Sequence, residues 1–250
     1  MSAASKLDHL SVVLVGTRNP LNIGAAARAL SNFGVQGLRV VTPYDPAFRE
    51  ARSAIGASDL LASAREFATV PEAVADCTLV VGTTAVRHRA LHQPLRRLEE
   101  GARLIRKQLR SARVALLFGS EKFGLSNDSL SHCHWLMRIP TVERNISMNL
   151  GQAVAVTLYE IIRDAKAKSS AIKKEDQQLA KAAELERISS LLLETMRASG
   201  YLDRRRITDV EERMRRMVRR LRLPARDTEV WLGILRQILW KLCKSLPPQS

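Results

Sequence analysis

Residues 10–30 read LSVVLVGTRNPLNIGAAARAL, an apolar run that ends at a glycine and leads into an alanine-rich segment. The apolar run predicts a β-strand, and the segment from about Asn22 to Phe33 predicts a helix that Gly34 can close. Strand-to-helix turns often bind phosphate groups. This turn has neither the G-x-G-x-x-G pattern nor the lysine loop of nucleotide-binding proteins, so we expect it to serve another ligand.

Further apolar runs alternate with helical patterns, and each run predicts a strand buried on both faces of a sheet. The runs lie within residues 38–43, 78–85, 113–121 and 135–140, with a minimal strand predicted at 68–70. Strands that alternate with helices predict an α/β fold, with helices covering both faces of a parallel sheet. Ligands of such sheets bind beyond the carboxyl ends of the strands, so the loops at those ends form the candidate site.

One of these loops is LLFGSEKFGLSND, residues 116–128. Gly119 and Gly124 stand on either side of Glu121, which predicts a tight loop with exposed backbone amides. Because a carboxylate repels a triphosphate, the acid disfavours nucleotide hydrolysis as the function.

A third loop lies within RIPTVERNISMNLGQAVAVTLYE, residues 138–160. Pro140 stops the preceding strand, and Ser147 and Asn149 are residue types that begin helices. We expect a long helix from Asn149 to about Lys166.

The first loop combines three residues that suit a ligand at a strand end. Asn22 can cap the helix, Gly24 allows a close approach of backbone or ligand, and Arg28 can point back toward the helix start. From this stretch alone, an ordinary arginine on the helix exterior is the favoured interpretation of Arg28.

The protein has 250 residues and a formal net charge of +15, and residues 166–250 alone hold 20 Lys and Arg against 11 Asp and Glu. A positive field of this size attracts polyanions, of which RNA, DNA and an anionic membrane surface are the candidates. Aromatic residues make up only 4% of the chain, which disfavours an aromatic platform for base stacking.

The basic C-terminal part has its own organisation. Residues 163–183 are polar and lack a clear apolar stripe, which predicts a linker. Apolar stripes at helical spacing then begin near Leu185, Met214 and Trp231 and predict a small appendage of about three helices. The arginine-rich face within residues 203–223 is either a solvated helix surface or a contact for RNA phosphates, and both interpretations stay open.

Other classes of site receive little support. Cys77, Cys133 and Cys243 are far apart, so neither a disulfide framework nor zinc spacing is present, and the short SHCHW segment at 131–135 cannot easily surround a metal. The chain has no apolar run near the roughly 20 residues that span a bilayer, and residues 1–9 lack an export signal. We therefore expect a cytoplasmic protein with no metal and no membrane partner.

Taken together, three segments carry a specific resemblance. NIGAAAR (22–28), FGSEKFGLS (118–126) and IPTVERNISMNLGQAVAVTLYE (139–160) resemble motifs one, two and three of the SPOUT class of RNA methyltransferases. They match its TrmH-like branch, which methylates ribose 2′-hydroxyl groups. The motifs occur in the order of that branch, and the resemblance covers residues 10–165.

The tail extends the resemblance more loosely. The segments LLETMRASGYLDRR (192–205) and WLGILRQILWKL (231–242) are similar to the TrmJ type, the tRNA (cytidine/uridine-2′-O-)-methyltransferases, which modify nucleotide 32 of the anticodon loop. The resemblance implies tRNA as the partner and no DNA. A ribosomal-RNA 2′-O-methyltransferase of the same fold is the close alternative, and a non-catalytic RNA-binding protein on this scaffold is a further one.

The resemblance also implies an architecture that periodicity does not show. A SPOUT domain should span residues 1–165, with a deep trefoil knot at roughly 113–165. A linker at 166–183 and a helical extension at 184–250 should follow. Two knots should pack into a homodimer that completes each active site, and S-adenosylmethionine should bind within the knot.

On the family template, Arg28 is the candidate catalytic residue, with Asn22 beside it and Ser147 and Asn149 in support. The implied cofactor-binding residues come from three loops: Thr83, Thr84, Ala85, Gly119, Glu121, Ile139, Ile146, Ser147 and Met148. Two departures from the family pattern bear on the substrate. Arg87 and Arg89 compete for the position of one family arginine, and RNISMN stands where a proline- or serine-rich stretch is common.

Overall fold

The structure, a computed structural model, describes residues 7–43, 49, 51–85, 92–142, 144, 146–163, 178–202 and 207–245. Within these residues the strands form one sheet. They are β1 Leu10–Val15, β2 Gly37–Val41, β3 Arg65–Phe67, β4 Leu79–Thr83, β5 Leu95–Arg97, β6 Val114–Phe118 and β7 Trp135–Arg138.

The sheet has the order β3-β2-β1-β6-β4-β7-β5, and each neighbouring pair is parallel. The parallel sheet of an α/β fold is therefore confirmed. Because parallel strands point the same way, the carboxyl ends of β6, β4 and β7 lie side by side at one edge. The loops that leave this edge include the second and third predicted loops.

Helices connect the strands and complete the chain. They are α1 Pro20–Asn32, α2 Ser58–Ala62, α3 Val70–Val74, α4 Leu98–Gln108, α5 Asn127–Ser131, α6 Leu150–Arg163, α7 Ala182–Ala198, α8 Ile207–Arg220 and α9 Ala225–Ser245, with a 3-10 turn at Arg52–Ala54. None of the helices in the described part of the chain has the length and apolar character needed to cross a membrane.

The sheet is buried on both faces. Alternate residues of β1 divide between two apolar clusters: Leu10, Val12 and Leu14 face one, and Val13 faces the other. The first cluster includes side chains of α1, α4 and α6, and the second includes those of α3 and α5. Helices on opposite faces explain why the strand sequences are continuous apolar runs.

The first helix begins earlier than the sequence predicts. It starts at Pro20, and Asn19 rather than Asn22 is the N-cap, because its Oδ1 accepts a hydrogen bond from the Leu21 backbone N–H at 3.0 Å. Proline suits the first helical position, where its missing N–H would have no partner in the helix. The Asn22 side chain thus makes other contacts.

The minimal strand lies at residues 65–67 instead of the predicted 68–70. Residues 68–70 turn into α3, where the Thr69 side chain accepts a hydrogen bond from the Glu72 backbone N–H at 3.4 Å. A threonine N-cap therefore outweighs the β-propensity of this short segment.

The C-terminal helices have a small core of their own. Leu185 and Ile188 of α7, Val218 of α8, and Leu232 and Leu235 of α9 form a third buried cluster. Leu185, Ile188, Val218 and Leu235 belong to the stripes predicted from the sequence, but Leu232 does not. The third predicted stripe is wrong in part, because Trp231, Ile234 and Ile238 are exposed on α9.

The beginning of α7 also contacts the sheet domain, because the Ala182 backbone N–H donates to the Cys77 carbonyl oxygen at 2.8 Å. Residues 164–177 of the predicted linker region lie outside the described residues. The domain boundaries at 165 and 184 stay predictions.

A buried arginine joins β2 to the end of α3. Arg39 donates from Nη1 and Nη2 to the two carboxylate oxygens of Asp76 at 2.6 and 2.9 Å, and Arg113 donates to Asp76 at 2.7 Å. Burial disfavours the charged carboxylate, but these hydrogen bonds outweigh that cost and hold the pKa of Asp76 well below its usual value.

We predict that Asp76→Asn lowers the free energy of unfolding by about 1–3 kcal/mol at neutral pH, because Arg39 loses its carboxylate. Since the pKa is lower in the folded than in the unfolded chain, this stabilisation is complete above about pH 5 and is lost as the pH falls. Urea unfolding of wild type and Asp76→Asn at several pH values measures the difference in their free energies of unfolding. This difference should become smaller as the pH falls toward about 3.5, and a difference independent of pH would contradict the assignment.

Glu100→Gln is the matched control, since it removes a carboxylate from a more exposed pair with Arg96. That change should alter the free energy of unfolding by less than about 1 kcal/mol.

Candidate functional site

A cavity of about 500 Å³ opens at the carboxyl edge of the sheet. This volume falls within the range of roughly 300–1,000 Å³ that is usual for small-molecule sites. The cavity is lined by every residue that the sequence proposed for the cofactor: Thr83, Thr84, Ala85, Gly119, Glu121, Ile139, Ile146, Ser147 and Met148. Three chain segments thus converge on one space, each of them following a strand of the sheet.

The loop after β6 is folded tightly on itself. The Gly124 backbone N–H donates to the Ser120 carbonyl oxygen at 2.8 Å, and Gly124 has φ +67°, which glycine adopts most readily. A Cβ at Gly119 would lie 2.0 Å from the Gly124 carbonyl carbon and 2.2 Å from the Leu125 nitrogen. Only glycine fits at position 119, because the opposing atoms belong to the backbone.

A chain of hydrogen bonds links the three predicted loops. Glu121 accepts from the Asn22 Nδ2 at 2.7 Å and from the Arg18 backbone N–H at 3.3 Å. Asn22 in turn accepts, through Oδ1, from the Asn149 Nδ2 at 3.1 Å. The Asn22 amide therefore has both its donor and its acceptor in use, and it holds together segments far apart in sequence.

Asn149 has a second role as the cap of α6. Its Oδ1 accepts from the Gly151 and Gln152 backbone N–H groups at 3.0 and 3.4 Å. The helix begins at the next residue, as the sequence predicts. It then packs closely on α1, where a Cβ at Gly151 would approach the Ala25 Cβ to 2.7 Å.

The four candidate catalytic residues occupy three kinds of position. Ser147 lines the cavity. Asn22 and Asn149 lie behind it in the hydrogen-bonded chain and do not line it. Arg28 is exposed on α1, about 9 Å farther along the helix axis than Asn22 at the usual rise per residue, and it too does not line the cavity.

Arg87 and Arg89, which compete for one position in the family pattern, lie outside the described residues. Gly24 allows the close approach that the sequence predicts, and the group that approaches it is the Ser53 side chain. A Cβ there would lie 2.3 Å from the Ser53 Oγ, whose hydroxyl donates to the Leu21 carbonyl oxygen.

The structure adds lining residues that the sequence reasoning missed. They are Phe118, Ser120, Lys122, Phe123, Gly124, Leu125, Leu130, Met137, Thr141, Leu150 and Ala153. Phe123 is 65% exposed, and its ring centroid lies 5.9 Å from the Arg18 guanidinium carbon and 5.2 Å from the Lys122 ammonium. A phenylalanine inside a polar glycine loop was the signal that could have identified it.

The SHCHW segment has structural roles. His134 Nδ1 accepts a hydrogen bond from the Val80 backbone N–H at 3.1 Å, and burial lowers the pKa of His134 to about 3. The ring is therefore a neutral acceptor within the sheet. Among the described residues, no group of three or more His, Cys, Asp or Glu side chains could hold a metal ion.

Comparison with known proteins identifies relatives over nearly the whole chain. The model of the SpoU rRNA Methylase family matches residues 9–159. The tRNA (cytidine/uridine-2′-O-)-methyltransferase TrmJ of Sodalis glossinidius is 33% identical over 237 residues, which cover 93% of this chain and 92% of the relative. The TrmJ of Klebsiella pneumoniae is 32% identical and is covered to 97%.

Solved structures agree with these relatives. The crystal structure of TrmJ from Z. mobilis ZM4 superposes with a TM-score of 0.80 at 31% identity, covering 91% of this chain and 98% of the other. The similarity therefore extends beyond the sheet domain into the C-terminal helices.

We predict that Gly119→Ala destabilises the protein by at least about 1–3 kcal/mol, because its methyl group would overlap the backbone at Gly124 and Leu125. Thermal unfolding measures the loss. Gly233→Ala is the control, since a Cβ there meets nothing within 4 Å, and alanine should stabilise this exposed helix by up to about 1 kcal/mol. Equal melting temperatures for Gly119→Ala and wild type would contradict the loop geometry.

Proposed function

The chain belongs to the SpoU methylase family, and from this premise we propose that it transfers a methyl group to a ribose 2′-hydroxyl of tRNA. S-adenosylmethionine is the cofactor. The observation that carries the proposal is the cavity at the carboxyl edge of the sheet, on which all three motif loops converge.

The lining residues fit this cofactor. Ile139, Ile146 and Met148 provide apolar surface for an adenine ring, and the small residues from Thr83 to Ala85 line the same cavity. The carboxylate of Glu121 at the same cavity suits a positively charged ligand better than a triphosphate. No metal ligand is needed for this binding mode.

Methyl transfer requires the protein to align the reacting groups and to stabilise the charge that develops on the hydroxyl oxygen. The cofactor supplies a methyl group that is already activated on a sulfonium. The protein must hold the 2′-hydroxyl in line with that methyl group and stabilise the negative charge that develops on the oxygen. We assign this stabilisation to the guanidinium group of Arg28, and we assign contacts at the cavity to Ser147. Asn22 and Asn149 hold the loops in register.

The position of Arg28 supports a site that is completed by a second subunit. Because Arg28 is exposed and does not line the cavity of its own chain, we propose a cytoplasmic homodimer in which it reaches the cavity of the partner. Two such sites per dimer follow from twofold symmetry.

We also propose that residues 113–165 form the deep trefoil knot of the family. The course of the chain supports it. After β7, Ile139, Ile146 and Met148 line the same cavity as the loop at 119–124, and α6 then packs against α1.

For the substrate we propose cytidine or uridine at position 32 of tRNA. The support is that the relatives named TrmJ align over 93% of the chain, and thus include the basic tail. Ribosomal RNA is the alternative that the experiment below separates.

We predict that Arg28→Ala lowers the rate of methyl transfer at least ~100-fold while the Kd for S-adenosylmethionine stays within about twofold, as for loss of a group that acts on developing charge. Labelled-methyl transfer and calorimetry measure the two quantities. Arg103→Ala, which removes an exposed arginine from α4, should leave both unchanged. Full activity of Arg28→Ala would refute its catalytic role.

Mixed dimers test whether Arg28 acts across the interface. Ala85→Trp should fill the cavity and abolish cofactor binding, so each variant alone should be inactive. Coexpressed with Arg28→Ala, it should give heterodimers with about half of the wild-type activity, because one site then has both an open cavity and an arginine. Inactive heterodimers would place Arg28 in the site of its own subunit.

The substrate is identified by incubating the protein with labelled S-adenosylmethionine and unmodified tRNA, followed by mass mapping. We expect a 2′-O-methyl group at position 32. Methylation at another tRNA position would keep the reaction and reject position 32. Transfer to ribosomal RNA alone would reject tRNA, and absence of cofactor binding would reject the reaction itself.

A further inference from the structure

A buried arginine of the C-terminal helices reaches into the sheet domain. Arg219 of α8 is only 2% exposed. Its Nε donates to the His132 carbonyl oxygen at 2.9 Å, and its Nη2 lies 3.2 Å from the Glu186 Oε2 and 3.3 Å from the His132 Nδ1. His132 is the residue directly after α5, so the guanidinium is bonded to the end of that helix.

A second arginine of α8 holds the beginning of α5. Arg215 donates from Nη1 to the Asp128 Oδ1 at 3.0 Å and from Nε to the Glu186 Oε1 at 2.9 Å. Helix α5 has five residues, which is far below the length at which a helix is stable by itself. Its position must therefore come from tertiary contacts, and two of these are arginines of the tail.

Helix α5 forms part of the cavity wall. Leu125, just before it, and Leu130, within it, both line the cavity. A Cβ at Gly82 would lie 2.8 Å from the Cys133 Sγ and 3.3 Å from the Leu125 Cδ1, so this segment packs tightly on β4. β4 ends at Thr83, which lines the cavity together with Thr84, so the segment that ends at His132 contacts two walls of the cavity.

The ion pairs of Glu186 with Arg215 and Arg219 can hold α8 in one position against α5. Burial disfavours ionised Glu186, but its contacts with His132, Arg219 and Arg215 outweigh that cost and lower its pKa to about 2. Glu186 is therefore a carboxylate at neutral pH and contacts both arginines. Buried ion pairs add little net stability, yet they can fix one geometry among several.

We propose that Arg219 is a positioning residue for the cofactor cavity, which acts through His132 and α5. The C-terminal helices thereby set the affinity for S-adenosylmethionine in addition to any contact with RNA. This inference rests on the proposed function, because it takes S-adenosylmethionine as the ligand of the cavity. Coupling is reciprocal, so the bound cofactor should in turn tighten the contact between α8 and α5.

The test compares two arginine substitutions on the same helix in the full-length protein. Arg219→Met keeps the length of the side chain, and the remaining carboxylate of Glu186 still has Arg215 as its partner, so the variant should fold. Arg216→Met is the matched control. It removes the same charge, but among the described residues the Arg216 side chain pairs with Glu212 of its own helix alone, at 3.2 Å.

Calorimetric titration with S-adenosylmethionine should give a Kd about 10-fold higher for Arg219→Met than for wild type, within the usual range of coupling between sites. The Kd for Arg216→Met should stay within about twofold. Hydrogen exchange should be faster at residues 119–131 in Arg219→Met alone. In wild type, the cofactor should slow exchange at residues 215–220.

A purely structural role would lower the melting temperature of Arg219→Met and leave the Kd of the folded protein unchanged, and that result would overturn the proposal. Glu186→Gln is the second variant, used if Arg219→Met does not fold, and it should raise the Kd in the same direction. An unchanged Kd in Glu186→Gln would also overturn it. If wild type itself binds no S-adenosylmethionine, the proposed function fails first, which is a distinct outcome.

Discussion

The hydrogen-bonded chain from Glu121 through Asn22 to Asn149 is the constraint on which the candidate site depends. It joins segments separated by 99 and 127 residues in sequence. Glu121 belongs to the loop after β6 and Asn22 to the first turn of α1, and Asn149 also caps α6. Because one asparagine amide both donates and accepts within this chain, the three loops have a single relative arrangement, and the cavity takes its shape from it.

Much of this arrangement could be predicted from local sequence, for identifiable reasons. Continuous apolar runs predicted a parallel sheet, and the sheet places the carboxyl ends of β6, β4 and β7 at one edge. Residues at or just after the ends of those strands, such as Thr83, Gly119 and Ile139, therefore had to lie near one another. Their individual assignment to a cofactor came from the family resemblance, which orders the motifs along the chain, and the structure brings them to one cavity.

What the sequence could not indicate were partners distant along the chain. Asn22 has the residue type of a helix cap, yet Asn19 holds that position, and the partners of Asn22 are residues that no local pattern identifies. The arginine face of α8 is a similar case. Helical periodicity separated a polar from an apolar side, but it could not show that Arg219 turns inward to His132. Whether an arginine of α8 is exposed to water or paired with a carboxylate depends on how the C-terminal helices pack on the sheet domain.

The arginines of α8 therefore divide into two sets with different physical effects. Arg215, Arg216 and Arg219 face carboxylates of their own chain, so they add little to the long-range field. Arg213 and Arg220 are exposed, and a spacing of seven residues puts them on one side of the helix. An RNA backbone bound at that side would contact the same helix that holds α5 and, through α5, the cavity wall. The proposed contact with RNA and the proposed effect on cofactor affinity therefore both involve α8.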